Sequence, residues 1–310
     1  MTALRAVVFA ALEAAFVLLV LATIVFVTLR VVPGDPAALV LGDEARPEDL
    51  AALRHRLHLD EPWSMQYARF LRGMATLDFG DSLRRPGVSS ASRIRESLGP
   101  TTALATLSVA IGAVTGTLVA VLGVGPWLGP SKRWVDRAVS WTAATPLLAF
   151  APLVTYVLAA RLHLVRLPGD PDAGASGLLF AATLLAIPLG AQVARIARAA
   201  LGEITTSPFL SVARAKGGSA FRVWFGHALP ATAGPLVTVV GTQLGALLGG
   251  AVVLERLFER PGLGSLILEA YASRDLPLLE GAVVASGALF VATQALAAGV
   301  HAWVDPRVRR

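Results

Sequence analysis

No cysteine occurs among the 310 residues, which excludes disulfides, CxxC redox pairs and thiolate metal sites. Charge is scarce too: 15% of the residues are Asp, Glu, Lys or Arg, against roughly 25% in an ordinary soluble domain. Acidic residues are absent altogether from Ile204 to Leu254. HExxH, GxSxG and GxxxxGK[ST] are missing, so the familiar metalloprotease, serine-hydrolase and nucleotide-hydrolysing sites have no counterpart here. Of the five histidines, His55 and His58 lie three apart on one expected helix, but nothing nearby completes a metal set, and they read as solvated surface. Little remains from which to build an enzyme.

What the chain has in quantity is apolar length. Hydrophobic residues make up 55% of it, and mean hydropathy is +0.65. Six stretches reach the roughly 20 residues that cross a bilayer core: 7–29, 101–123, 138–160, 178–198, 234–254 and 281–303. The first contains Glu13. A central acid costs about 2.5–3.5 kcal/mol, whereas each Leu, Ile, Val or Phe returns about 0.3–0.6. Fifteen such side chains in 7–29 outweigh one carboxylate. The apolar run is also longer than a signal-peptide core, and LRVVPGDP offers no small-x-small cleavage site, so the stretch reads as a retained anchor.

An even number of crossings puts both ends on one side. The tail DPRVRR, with Arg307, Arg309 and Arg310, favours the cytoplasm, as do the basic residues of 124–137 and 199–233. The net charge of +6 therefore reads as membrane orientation. The basic residues are dispersed between apolar blocks, unlike a nucleic-acid surface. Segment 30–100 falls outside. There RPEDLAALRHRLHL (46–59), with Pro47 at a first helical position, and EPWSMQYARFLRGM (61–74) predict two helices, followed by a turn at LDFGDSL. The organisation expected is 1–29 as N-terminus and first crossing, 30–100 as an extracytoplasmic helical segment, and 101–310 as a five-helix core with an inward loop at 199–233.

That inward loop contains SVARAKGGSAFRVWFGHALP (211–230). Its pattern predicts a short helix ending at Gly217-Gly218, then a second helix reaching Pro230. Phe209, Phe221, Trp224 and Phe225 supply apolar faces. Such a unit either lies in the membrane interface as a basic connector or plugs into a partner's groove.

The segment resembles the EAA loop of bacterial ABC importer permeases: E-A-A, three residues, Gly, nine residues, I-x-L-P. Ser211, Val212 and Ala213, then Gly217, then His227, Ala228, Leu229 and Pro230 fall in that register. Ser211, Val212 and His227 depart from the consensus, and ARAKG with a following H-x-L is similar to the peptide/nickel permease branch. VPGDP (32–36), LRHRLHLDEPWSMQYARFL (53–71), LDFGDSL (77–83), GTQLGALLGGAVVLERLFERPGLGSLI (241–267) and DPRVR (305–309) look like that branch in the same order.

The resemblance implies an all-α protein with the six-helix type I ABC importer permease fold. It implies no catalysis and no cofactor on this chain, with ATP and magnesium held by partners. Those partners are a second homologous permease, two ABC ATPase subunits and an extracellular substrate-binding protein, all in or at a lipid membrane and without nucleic acid. Di- or oligopeptide is the first substrate expected, and nickel or a nickel chelate the second. Within the 203–230 loop the resemblance assigns ATPase coupling to Phe209, Ser211, Val212, Ala213, Arg214, Ala215, Lys216, Gly217, His227, Leu229 and Pro230. Arg214 and Lys216 have two possible partners there, acids of the ATPase or lipid phosphates.

Gly241, Gly245 and Gly249 form an i, i+4, i+8 ridge suited to close helix contact, within the chain or at a central permease–permease or pathway position. Gln192 and Gln243 fit interhelical hydrogen bonds better than substrate contacts. Glu13 is the one intramembrane acid, placed where a side chain can snorkel to the headgroups. A stand-alone secondary transporter is the rival from another class. It lacks support from inverted repeats or paired intramembrane ionisable residues.

Overall fold

The computed structural model describes residues 3–31, 35–42, 45–167, 169–250 and 252–304. The tail DPRVRR and the first three residues of VPGDP, 32–34, lie outside the described residues. Among the described residues the regular structure is helical, with one isolated bridge between Asp81 and Ser89. The first crossing is α1 (Ala3–Val31). Three short helices follow, α2 (Pro36–Leu41), α3 (Pro47–Arg56) and α4 (Trp63–Thr76), then the long α5 (Ser90–Val124). Pro47 opens α3 with Glu48 and Asp49 in its first turn, where the helix dipole favours acids.

Beyond α5 come α6 (Lys132–Ala144), α7 (Leu147–Thr155) and the 32-residue α8 (Gly174–Thr205). The 199–233 loop holds α9 (Pro208–Ala215), α10 (Ala220–Val223) and α11 (Leu229–Ala231), the last two joined by a π-helical turn at Trp224–Ala228. The chain then runs through α12 (Ala233–Gly250), α13 (Val252–Leu257), α14 (Leu263–Ser273) and α15 (Leu276–Val304).

Among the described residues four helices are long and apolar enough to cross a membrane: Val8–Val31, Ser90–Val124, Gly174–Thr205 and Leu276–Val304. The other two expected crossings are bent. Gly129–Ala144 and Leu147–Arg161 meet at 99°, and Ala220–Ala231 and Ala233–Gly249 at 63°. The stretch 138–160 is therefore not the continuous helix its composition suggests. Pro146 forces its predecessor out of the helical region, and Thr145 sits extended at φ −77°, ψ 123°.

The helices fall into two compact units, 1–101 with 248–256 and 260–292, and 102–247 with 257–259 and 293–310. In the first, Phe26 meets Tyr67 edge-on at 5.0 Å between ring centres and lies beside Phe70 in a small core with Ala22 and Val284. The guanidinium of Arg30 rests 3.7 Å over the Phe26 ring, donates to Gln66 Oε1 at 3.0 Å and pairs with Glu280 at 2.8 Å. Both charges are largely buried, and this set of partners is what makes their burial tolerable. The rest of α1 presents Phe9, Leu12, Phe16 and Ile24 outward, a face that suits lipid.

In the second unit α5 and α8 cross at glycines. A side chain at Gly112 would press on Leu189 and the backbone of Gly190, and one at Gly116 would strike Gly190 and Val193. Residues 112–116 are a GxxxG run, a close-packing signal carried by the sequence itself. Near the ends of these helices Val121, Ala197, Leu201, Leu210, Val223, Trp224 and Ala228 form a buried core. This core positions the 199–233 loop.

Candidate functional site

The loop is built from capped ends. Thr205, Thr206 and Ser207 donate their hydroxyls to the carbonyls of Gly202, Glu203 and Ile204, taking up acceptors that the end of α8 leaves free. Pro208 then opens α9 after an extended Ser207. At the other end, the N–H of Gly218 reaches the carbonyl of Ala213 at 3.3 Å and that of Gly217 reaches Arg214 at 3.0 Å. These are the 6→1 and 5→2 bonds of a Schellman cap, with Gly217 at φ +78°. Ser219 restarts the chain, its hydroxyl accepting from the N–H of Arg222. Pro230 has no N–H to offer, and just before it the N–H of Leu229 reaches back five residues to Trp224, producing the π turn.

These constraints set which side chains face out. Leu210 is fully buried and Ala213 packs against the same core, one turn apart on α9. The opposite side exposes Phe209 at 46% and Val212 at 52%, and α10 exposes Phe221 at 67%. Ser211, Arg214, Ala215, Lys216 and Gly217 are exposed around them. His227 and Pro230 are exposed further on, and Leu229 is half-buried. Of the four aromatic residues expected to supply apolar faces, Trp224 does not face outward. It is 5% exposed and packs 6.2 Å from Trp127 inside the chain's own core. Phe225 is half-buried and stacks on Phe221 at 4.6 Å, fixing that exposed ring in place.

An open cleft of about 900 Å³ lies behind the loop, lined by Lys132, Arg198 and Arg214 together with Val124, Val223 and Trp224. Asp136 pairs with Arg198 from α6.

The remaining marked residues are dispersed. Gln243 is buried, and its Nε2 donates to Gln192 Oε1 and to the Leu189 carbonyl, each at 3.3 Å, linking α12 to α8. Gly241 is packed so closely on Ala297 that no side chain fits there, and Gly249 sits against Phe290 in the same way. These two glycines thus serve packing within the chain, and Gly245 is buried between them. Glu13 is exposed on the outer face of α1.

A further cluster, in the first unit, gave no sign of its role in the sequence. Glu255 is 1% exposed; its carboxylate accepts from Thr101 Oγ1 at 2.5 Å and from the N–H of Ser265 at 2.9 Å. Thr101 Oγ1 in turn accepts from the N–H of Leu263 at 2.7 Å, so together the two residues cap the start of α14. Burial pushes the Glu255 carboxyl above its ordinary value, and the bonds from Thr101, Ser265 and Gly264 pull it partly back. The acid follows directly on an apolar run and precedes PGLG. That context is suggestive only once the fold has brought residue 101 to it.

Comparison with known proteins decides what this architecture belongs to. The binding-protein-dependent transport system inner membrane component matches residues 108–310, and the N-terminal membrane component of the same systems matches 3–92. The chain belongs to this family of permeases. Its relatives place it among the peptide ABC importer permeases. A peptide transport system permease protein of Brucella abortus is 34% identical over 94% of this chain and 95% of its own length. The glutathione transport system permease protein GsiC of Salmonella paratyphi A is 31% identical over 94% of each. Among solved structures, the inward-facing MetNI methionine ABC transporter shares the fold at a TM-score of 0.57 and 21% identity, over 69% of this permease and 96% of that chain. The permease is accordingly a multi-pass membrane protein and a transport component.

Proposed function

We propose that this permease is the membrane-spanning, non-catalytic half of an ATP-driven importer of the inner membrane. It crosses six times, counting each bent pair as one span, with both termini in the cytoplasm and 30–100 outside. It works beside a second homologous permease, two ATPases that hold ATP and magnesium, and an extracellular binding protein. Peptides are the substrate class, a choice supported by the peptide and glutathione permeases among its relatives.

The observation that carries this reading is the face formed by Phe209, Val212 and Phe221. A chain without catalytic machinery must receive work from elsewhere through something rigid. Here a short helix is locked by a Schellman cap, rooted by Leu210 and Ala213, and presents bare apolar side chains that its own core does not use. Exposed aromatic anchors on a rigid base are what a partner's groove takes up. Because the chain has no cysteine, Val212→Cys supplies a unique thiol. Crosslinking from position 212 to a copurifying ATPase supports the reading. Labelling of that thiol by an impermeant maleimide added outside intact cells would refute it.

A further inference from the structure

Three features of the second unit line up along α8. At its C-terminal end lies the basic cleft, where Lys132, Arg198 and Arg214 contribute three positive charges and the lining contains no acid. Asp136 offsets one of them through Arg198, whose side chain is only 17% exposed. Lys132 and Arg214 make no ion pair with the described residues, so the cleft keeps an excess of two positive charges. One turn towards the N-terminus, a groove of about 360 Å³ opens between α5, α6 and α8, lined by Val119, Val139, Gly190 and Ala194. It continues past the shared residues Thr142 and Ile187 into a smaller hollow of about 150 Å³ at Phe150 and Pro188. Thr115 and Thr142 are the groove's hydroxyl-bearing residues, and neither groove nor hollow is lined by a charged side chain.

We infer that this run is a phospholipid site: the phosphate of an anionic headgroup sits in the basic cleft and an acyl chain lies along α8. The inference rests on the membrane orientation proposed above, which puts the cleft at the cytoplasmic surface. The dimensions agree. Ile187 is three turns from Arg198, about 16 Å at 1.5 Å per residue, and one leaflet of hydrocarbon is about 15 Å deep. The chemistry agrees as well. Uncompensated cations repel one another and call for an anion, and basic pockets between helices on this side of a membrane suit lipid phosphates. Trp224 in the cleft wall, with Trp127 packed against it, is the residue type favoured at headgroup depth. A bound phosphate would tie Arg214 of the loop to Arg198 of α8 and Lys132 of α6. The lipid would then brace the coupling helix against the span it follows.

Native mass spectrometry of the assembled transporter, released from membranes of equal phosphatidylglycerol and phosphatidylcholine content, tests this. The wild type is expected to retain phosphatidylglycerol over phosphatidylcholine. The exposed Lys132→Gln should lower that retention about fivefold, as loss of one cation near an anionic surface implies. Val139→Trp, which fills the groove, should lower retention of both lipids. Three results would overturn the inference. One is equal retention of the two lipids by the wild type. Another is displacement by inorganic phosphate with no effect of Val139→Trp, which would make the cleft a free-phosphate site. The third is that the variants keep their lipid but lose the ATPase or the second permease, which would make cleft and groove protein contacts. Normal uptake with no lipid preference would sink this inference and leave the proposed function standing.

Discussion

The carboxylate of Glu255 lies directly against the α-carbon of Gly262, in the space that a side chain at 262 would need. One glycine thus admits a buried acid to the start of α14, where Thr101 and backbone N–H groups receive it. Gly262→Ala is expected to expel the carboxylate and cost at least about 2 kcal/mol, since hydrogen bonds to a charged group are lost in a buried place. Thermal unfolding in detergent measures this. Adding Glu255→Ala to Gly262→Ala should cost much less than the sum of the two, because they remove the same interaction. Strict additivity would show that the carboxylate is seated elsewhere.

The same acid imposes a pH dependence. Burial raises its value in the folded state above the ordinary 4.5, so the folded protein holds the proton more tightly than the unfolded chain. The contribution is fully present below about pH 4.5 and is lost as pH rises through the folded value. Relative to Glu255→Gln, which cannot titrate, wild-type stability should therefore decline as pH rises from 4.5. Parallel curves of melting temperature against pH for the two proteins would contradict this sign.

Gly217 carries the cap of α9 at φ +78° with open space around its α-carbon. The obstacle to Gly217→Val is thus backbone strain, about 1–2 kcal/mol, with no steric clash to add to it. The variant is expected to reach the membrane at normal levels, because the strain is local, and to show weakened substrate-stimulated ATPase in the reconstituted transporter. Normal stimulation would mean that the loop couples without its cap.

Phe209 and Phe221 point outward while Trp224, three residues beyond Phe221, points inward. Replacing both phenylalanines with serine should leave the melting temperature nearly unchanged and abolish ATPase copurification. Trp224→Ala should do the reverse at first, destabilising the permease by about 3–5 kcal/mol through a cavity beside Trp127. Pull-down and thermal melting on the same preparations separate the two. Equal behaviour of all three positions would deny the loop its two faces.

Much of this was legible from composition and local pattern. Crossing helices such as Leu276–Val304 show themselves because transfer free energies add along a continuous segment, whatever the rest of the chain does. The break at Gly217-Gly218 was legible because left-handed backbone is almost a glycine property. The bend at Pro146 was not drawn from the sequence although its cause is local, since apolar content alone ran straight through it.

The chain's own letters thus determined which stretches are apolar enough to cross lipid, where the 199–233 loop breaks, and that it carries none of the familiar catalytic motifs. These properties depend on near neighbours. Tertiary structure alone decided that Trp224 turns inward, that Gly241 serves Ala297, and that Glu255 is held by Thr101. The last pair are 154 residues apart. Whether an acid is buried or an aromatic ring is bare depends on what the folded chain brings against it, and no local pattern encodes that.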